Sequence, residues 1–334
     1  MEFKKYINLK KIIEIIILLL LLAIPFFFLQ ENPLQKSIKL DEITKSELFA
    51  LPEENGEEIL MKYLKLAKEE VNINIYLFSN KEIIKEIKKL SEKGLQINII
   101  IEDEPFGGGF LNYKTISDLS TYKNIKIKNA INIYSLNHAK YIIIDNKIGI
   151  IMTCNLTGSG LTSSRDFIFK TEDEKIVDIL NSLFFSDFNI TYFWPNKIPN
   201  NLIISPINSR KKIELLINNA KENIKIYSEN FNDENIIKLL NNQSEKNVEI
   251  KIILSESISS NKRIIKKFNP KIQTKLVKKP HQHSKIIIVD NKIIYLGSVN
   301  FSMQSMDQNR EVGIILQNKN FIKKVNLVFE KDFN

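Results

Sequence analysis

Residues 281–290 read His-Gln-His-Ser-Lys-Ile-Ile-Ile-Val-Asp, and residues 138–145 read His-Ala-Lys-Tyr-Ile-Ile-Ile-Asp. Each contains His-x-Lys-x-x-x-x-Asp, and each runs on into Asn-Lys-Ile. The chain has three histidines; His138 and His283 head the two copies, and His281 stands two residues before the second. Imidazole changes charge near neutral pH, so histidine used this sparingly and this regularly points to chemistry. The unbroken apolar run inside each copy predicts a strand buried on both faces. Side chains two apart on a strand share a face, so His138 and Lys140 project together, as do His283 and Lys285. Asp145 and Asp290 lie at odd spacing from their histidines. Asp-Asn-Lys before a further apolar run reads as a hairpin, and the two aspartates are assigned to fixing that turn rather than to chemistry.

The correspondence continues downstream. Seven residues after each aspartate come Met152-Thr153-Cys154-Asn155 and Gly297-Ser298-Val299-Asn300, then Arg165-Asp166 and Arg310-Glu311 at equal offsets. The parts suit substitution at a phosphodiester. Two imidazoles serve as nucleophile and general acid. Lys140 and Lys285 neutralise an anion, and Thr153, Asn155, Ser298 and Asn300 offer hydroxyl and amide donors to phosphate oxygens. Asp166 and Glu311 are carboxylates able to fix an imidazole tautomer, with Glu311 expected to partner His283. Extra charge on the equatorial oxygens would be met by the lysines and donors together. His281 has no counterpart, since Leu136 occupies its place in the first copy, and it is read as a rim residue. Cys154 is read as a small buried side chain.

Outward from the motifs, each half repeats one order of elements. Helical periodicity at 57–69 and 81–93 alternates with strands at 71–76, 95–102 and 125–133. In the second half, helices at 209–221 and 234–240 alternate with strands at 224–227 and 248–254, and 271–279 approaches the motif. Two α/β units ending in the same motif indicate an internal duplication. Residues 171–205 hold an amphipathic helix and an aromatic linker, Tyr192-Phe193-Trp194-Pro195, expected to pack at the seam. Pro105-Phe106-Gly107-Gly108-Gly109-Phe110 does not fit a strand-to-helix phosphate cradle and is read as a mobile loop.

The balance of 43% hydrophobic and 26% charged residues is globular, and the net charge of +9 favours polyanions or anionic membrane surfaces. One cysteine excludes an internal disulfide and a multi-cysteine metal cluster. With two of three histidines committed to the motifs, the expected mechanism uses neither metal nor cofactor. Lysines 4, 5, 10 and 11 precede an apolar run at 12–29 that is near the lower limit for spanning a bilayer. No small-x-small site follows, so the segment is expected to be an uncleaved signal anchor, single-pass, with the body on the extracytoplasmic side. Secretion after cleavage is the alternative. The expected organisation is therefore an anchor at 1–30, a connector at 31–54, one unit at 55–190, a linker at 191–205 and a second unit at 206–334.

Over about residues 55–325 the chain resembles the phospholipase D superfamily, named for the His-Lys-Asp motif that stands here at His138, Lys140 and Asp145 and at His283, Lys285 and Asp290. The resemblance implies an α/β fold of two α/β/α units packed as a pseudo-dimer, here preceded by one transmembrane helix. It also implies a shared central site and a metal-free route through a covalent phosphohistidine. Ser298, Asn300, Thr153 and Asn155 would then bind phosphate, and Glu311 and Asp166 would orient the histidines. The first half departs from the family pattern at Met152, Thr153 and Asp166, so the halves are expected to be inequivalent; which histidine attacks is left open. The expected substrate is a phospholipid headgroup at a membrane, with a nuclease acting on DNA or RNA as the alternative. No obligate protein partner is implied.

Overall fold

The strand order carries the duplication. A computed structural model describes residues 39–193, 195 and 197–334; the apolar run at 12–29 and Trp194 lie outside the described residues. The first sheet contains β1 (Ser46–Leu51), β2 (Glu70–Ile75), β3 (Gln96–Ile101), β4 (Ile125–Asn129), β5 (Tyr141–Ile144), β6 (Ile148–Met152) and β7 (Ser164–Thr171). Across the sheet they run β1-β7-β6-β5-β2-β3-β4. The second half contributes β8 (Leu202–Ser205), β9 (Asn223–Ser228), β10 (Glu249–Ser255), β11 (Gln273–Val277), β12 (His281–Gln282), β13 (Lys285–Val289), β14 (Ile293–Gly297) and β15 (Glu311–Leu316). The second sheet, β8-β15-β14-β13-β9-β10-β11, repeats the first order strand for strand.

In each sheet a parallel set (β2-β3-β4, β9-β10-β11) continues into an antiparallel meander (β5-β6-β7, β13-β14-β15). Helices Lys81–Glu92 and Glu234–Glu245 cross between parallel strands, and each begins where a short polar side chain can take an orphan backbone donor. Asn80 accepts from the Ile83 N–H and Asp233 from the Ile236 N–H.

The equivalence of β1 and β8 moves both unit boundaries. β1 falls inside the stretch expected to be connector and β8 inside the stretch expected to be linker, yet each is the edge strand of its sheet, paired to β7 and β15 respectively. Helix Phe110–Leu119 follows the glycine run directly, so the stretch read as a loop ends at Gly109. Of the aromatic linker, Phe193 packs on the core between the halves and Tyr192 is exposed. Among the described residues no helix is long and apolar enough to cross a membrane.

The unbroken apolar runs are explained by three cores. Tyr141, Ile143, Ile286 and Ile288 enter a core shared by both halves. Ile142 and Ile144 enter the outer core of the first half, and Ile287 and Val289 that of the second. A strand with a core on each face has no polar side. Each fully buried branched side chain contributes about 1.5–3 kcal/mol, so these eight positions fix the register of both motifs.

The motif hairpins turn at Asp145-Asn146 and Asp290-Asn291, all four with φ between 49° and 52°. Two consecutive left-handed residues define the tight turn that matches strand twist, and Asp and Asn tolerate that conformation best after glycine. Each aspartate also collects three backbone donors. Asp145 accepts from the N–H groups of Lys68, Glu69 and Glu70, and Asp290 from those of Lys221, Glu222 and Asn223. These carboxylates tie the hairpin to the start of β2 and β9, at the end of the strand away from the histidine.

Candidate active site

β5 begins at Tyr141 and β13 at Lys285, so the residues from each histidine to its lysine lie where the chain enters the central strand. The start of each of these strands is held by the opposite half. The His138 N–H donates to the Arg310 carbonyl at 2.9 Å, and the Ser284 N–H donates to the Arg165 carbonyl at 3.0 Å. β12 pairs in parallel with β7, and Asn137 bridges to Arg310 in the same way. The two motifs therefore meet across the seam.

The acids cross the seam too, which corrects the expected pairing. Glu311 does not partner His283: its Oε2 lies 2.8 Å from Nδ1 of His138. Asp166 Oδ1 lies 3.0 Å from Nδ1 of His283. Each carboxylate is fully buried, and each leaves the Nε2 edge of its imidazole for chemistry. Proximity in sequence suggested pairing within a half, whereas the strand that carries each acid enters the seam facing the other half's motif.

The hydroxyls have a different job from the one expected. Thr153 Oγ1 donates to Asp166 Oδ1 at 2.6 Å and accepts the Phe167 N–H. Ser298 Oγ donates to the Val312 carbonyl and accepts the Val312 N–H, beside Glu311. Both side chains are fully buried, so they brace the acids instead of facing a substrate. Asn155 and Asn300 fit the substrate-facing description better, because the side-chain Nδ2 of each, the donor a phosphate oxygen needs, makes no hydrogen bond among the described residues. Met152 in the place of Gly297 is a packing difference. A Cβ on Gly297 would meet Gly313 Cα at 2.4 Å, whereas Met152 is buried in the first half's outer core.

The lysines are fully buried and differ in their company. Lys285 Nζ bonds Glu229 Oε2 at 2.7 Å, and the same oxygen lies 3.6 Å from His283 Nε2. Burial would raise the Glu229 carboxyl, but Lys285 and then His283 reverse this and hold it well below the usual carboxylate range. Lys140 Nζ bonds the His138 carbonyl at 2.7 Å and sits over the Tyr76 ring, 5.2 Å from its centroid. In strand register Tyr76 occupies in the first half the place of Glu229 in the second. Without a carboxylate there, burial lowers Lys140 to about 7 despite Glu311. It likewise lowers His138 to about 4, with Lys140 and Lys285 adding to the effect. The influence of Lys285 on His138 places both motifs in one electrostatic site.

Glu229 was not legible beforehand. Comparison of the halves finds residues that repeat, and this position does not. His281 is half-buried, its Nδ1 3.5 Å from Ser257 Oγ and its ring centroid 6.4 Å from that of His283. Cys154 is buried and its thiol is pushed up by that burial.

A crossed pair of histidine–acid couples over two buried lysines can exchange groups at phosphorus, and comparison with known proteins agrees. The family described as cardiolipin synthase, PLD-like domain, matches residues 60–188 and 213–333. A cardiolipin synthase of Clostridium perfringens (strain 13 / Type A) is 26% identical over 339 residues, covering 88% of this chain and 67% of its own length. The chain thus spans about two thirds of that relative. Among solved structures, a phosphatidylserine synthase from Haemophilus influenzae Rd KW20 superposes with a TM-score of 0.64 at 11% identity, over 86% of this chain and 85% of its own. A polyphosphate kinase from Porphyromonas gingivalis superposes with a TM-score of 0.67 at 15% identity, over 87% and 50%. At such identities the two structures speak for the fold, two α/β units with a repeated sheet, and the family match speaks for descent. The chain belongs to the PLD-like domain family of cardiolipin synthases, which are phosphodiester-transferring enzymes.

Proposed function

We propose that the protein exchanges or hydrolyses the headgroup phosphodiester of a phospholipid through a covalent phosphohistidine, in the manner of a cardiolipin synthase or phospholipase D. The observation that carries the chemistry is the inequality of the two histidines. His138 is buried against the Tyr76 ring, 4.8 Å between centroids, with one carboxylate on Nδ1. His283 has a carboxylate on Nδ1 and a second, Glu229, near Nε2. The first environment favours a neutral imidazole, and the second sets a carboxylate acceptor beside each ring nitrogen. His138 is accordingly the nucleophile: Nε2 forms the bond to phosphorus as the bond to the leaving oxygen breaks. His283 is the acid that protonates that oxygen, and it then accepts the proton of the water or alcohol that displaces His138. Lys140 and Lys285 balance the charge gathered on the phosphoryl oxygens, with Asn155 and Asn300 as donors. Glu229 rests where an anionic oxygen would sit between Lys285 and His283, and it yields that position to substrate.

The pH profile follows. The attacking imidazole must be neutral and Lys140 charged, so kcat/KM is expected to fall as pH drops through about 4 and again as it rises through about 7. An acid limb at the ordinary imidazole value of 6.5 would contradict the assignment of His138.

The substrate reading is supported by the cardiolipin synthase relatives and by the apolar run at 12–29, which would hold the body beside a bilayer as a signal anchor. The test is to present the full chain, in EDTA, with phosphatidylglycerol vesicles and separately with single- and double-stranded DNA. Headgroup release or transfer in the vesicles is expected. Cleavage of DNA alone would replace the lipid reading with a nuclease, and loss of all turnover in EDTA would overturn the metal-free route.

A further inference from the structure

Helix Phe110–Leu119 is built inside out. Its buried face is partly polar: Asn112 is 0% exposed and Thr115 4%, and Asn112 gives its amide to the Tyr76 and Glu102 carbonyls while accepting the Phe78 N–H. The Thr115 hydroxyl donates to the Phe78 carbonyl. The aromatic residues face outward, Phe110 72% exposed and Tyr113 71%, and Phe106 in the loop before it is 93% exposed. These rings gain nothing from the fold, and grouped exposed apolar side chains mark a surface that something else covers.

The surroundings say what covers it. Lys81, Lys85 and Lys114 line one hollow of about 530 Å³ with Phe110 and Leu111. None of these three lysines makes a hydrogen bond or ion pair among the described residues. Lys88, at the same hollow, is neutralised by Asp118 at 2.6 Å. The acids of the preceding loop, Asp103 and Glu104, line a separate hollow with Tyr134. Free ammonium groups beside exposed aromatic rings complement an anionic headgroup layer over hydrocarbon. The loop is also coupled to the site, since the Phe106 N–H donates to the Tyr76 hydroxyl at 2.5 Å and the Tyr76 ring meets His138.

We propose that Phe106, Phe110 and Tyr113, with Lys81, Lys85 and Lys114, form a docking surface for an anionic phospholipid bilayer, which sets the His138 side of the site at headgroup level. This rests on the phospholipid reading above. The chain has one tryptophan, so Trp194→Phe provides a dark background for single probes at Phe106→Trp, Phe110→Trp and, on the exposed face of the C-terminal helix, Leu327→Trp. All three positions are solvent-exposed, so the probes leave the packing intact. The full-length variants are reconstituted into vesicles of phosphatidylglycerol and phosphatidylcholine, with and without bromine on the acyl chains. Probes at 106 and 110 are expected to lose most of their emission to the brominated lipid, less in phosphatidylcholine alone, while the probe at 327 keeps its emission. Equal emission with and without bromine at 106 and 110, or equal quenching at all three positions, would overturn the proposal. So would an emission change at 106 and 110 produced by single-stranded DNA and not by vesicles. Quenching does not depend on turnover, so a protein whose probes are quenched but which leaves phospholipid intact retains the surface and loses the proposed reaction.

Discussion

His138→Ala is expected to reduce turnover to background and to leave no phosphoryl label on the protein, whereas His283→Ala still accepts the label. With a phospholipid labelled at phosphorus and an alkaline quench, which preserves phosphohistidine, wild type shows a transient label. His283→Ala forms it slowly, because the leaving alkoxide must depart unprotonated, a loss of ~10²–10⁴-fold for one general acid. A p-nitrophenyl phosphodiester separates the roles further, since its leaving group needs no proton. His283→Ala is expected to release a burst of nitrophenol equivalent to the enzyme and then stall, while His138→Ala gives no burst. A burst in His138→Ala and none in His283→Ala would exchange the roles. Near-normal turnover in either variant would remove the shared site altogether. The expectation depends on the environments of the rings and not on their order in the chain: His138 lies against Tyr76, and His283 lies between Asp166 and Glu229.

The repeat made much of this readable beforehand. Two copies of one pattern located the histidines and lysines that the fold brings together at the seam, and the continuous apolar runs announced central strands. Four things were not readable, for physical reasons. Hydroxyls at Thr153 and Ser298 look the same in sequence whether they face a substrate or brace an acid; only the distance to Asp166 and the bonds to Val312 decide. The crossing of Glu311 to His138 is a property of how two sheets pack, and spacing along one strand carries no information about the other. Edge strands β1 and β8 are short, four to six residues, and lack the alternation that identifies a half-exposed strand. Glu229 escaped because the duplication itself was the guide, and the feature that makes the halves unequal is by definition absent from the repeat.

The arginine beside each acid, Arg165 and Arg310, repeats and yet enters no step of the reaction. Arg310 Nε lies 2.9 Å from Asp187 Oδ2, both side chains almost fully buried, and its guanidinium also donates to the Ser205 carbonyl at the end of β8. Arg165 mirrors it, with Asp332 at 2.6 Å and the Leu51 carbonyl at the end of β1. Asp187 lies in the helix after β7 and Asp332 in the helix after β15, so each arginine reaches into the opposite half. Two buried ion pairs thus clamp the seam on which the crossed acids depend. Removing one member of such a pair strands the other in a dry interior at a cost of ~3–5 kcal/mol. Arg310→Ala is therefore expected to lower stability by that amount, read from its denaturant midpoint by circular dichroism, and to weaken turnover as well, since the lost guanidinium contacts no longer fix the backbone whose carbonyl anchors the His138 N–H. Arg310→Met with Asp187→Leu removes both charges together, and it is expected to recover a large part of the loss, because no uncompensated charge remains. A single variant within ~1 kcal/mol of wild type, or a double variant no more stable than the single, would show that the halves are held by their shared apolar core alone. The clamp would then serve only to place the arginine carbonyls against the two motifs.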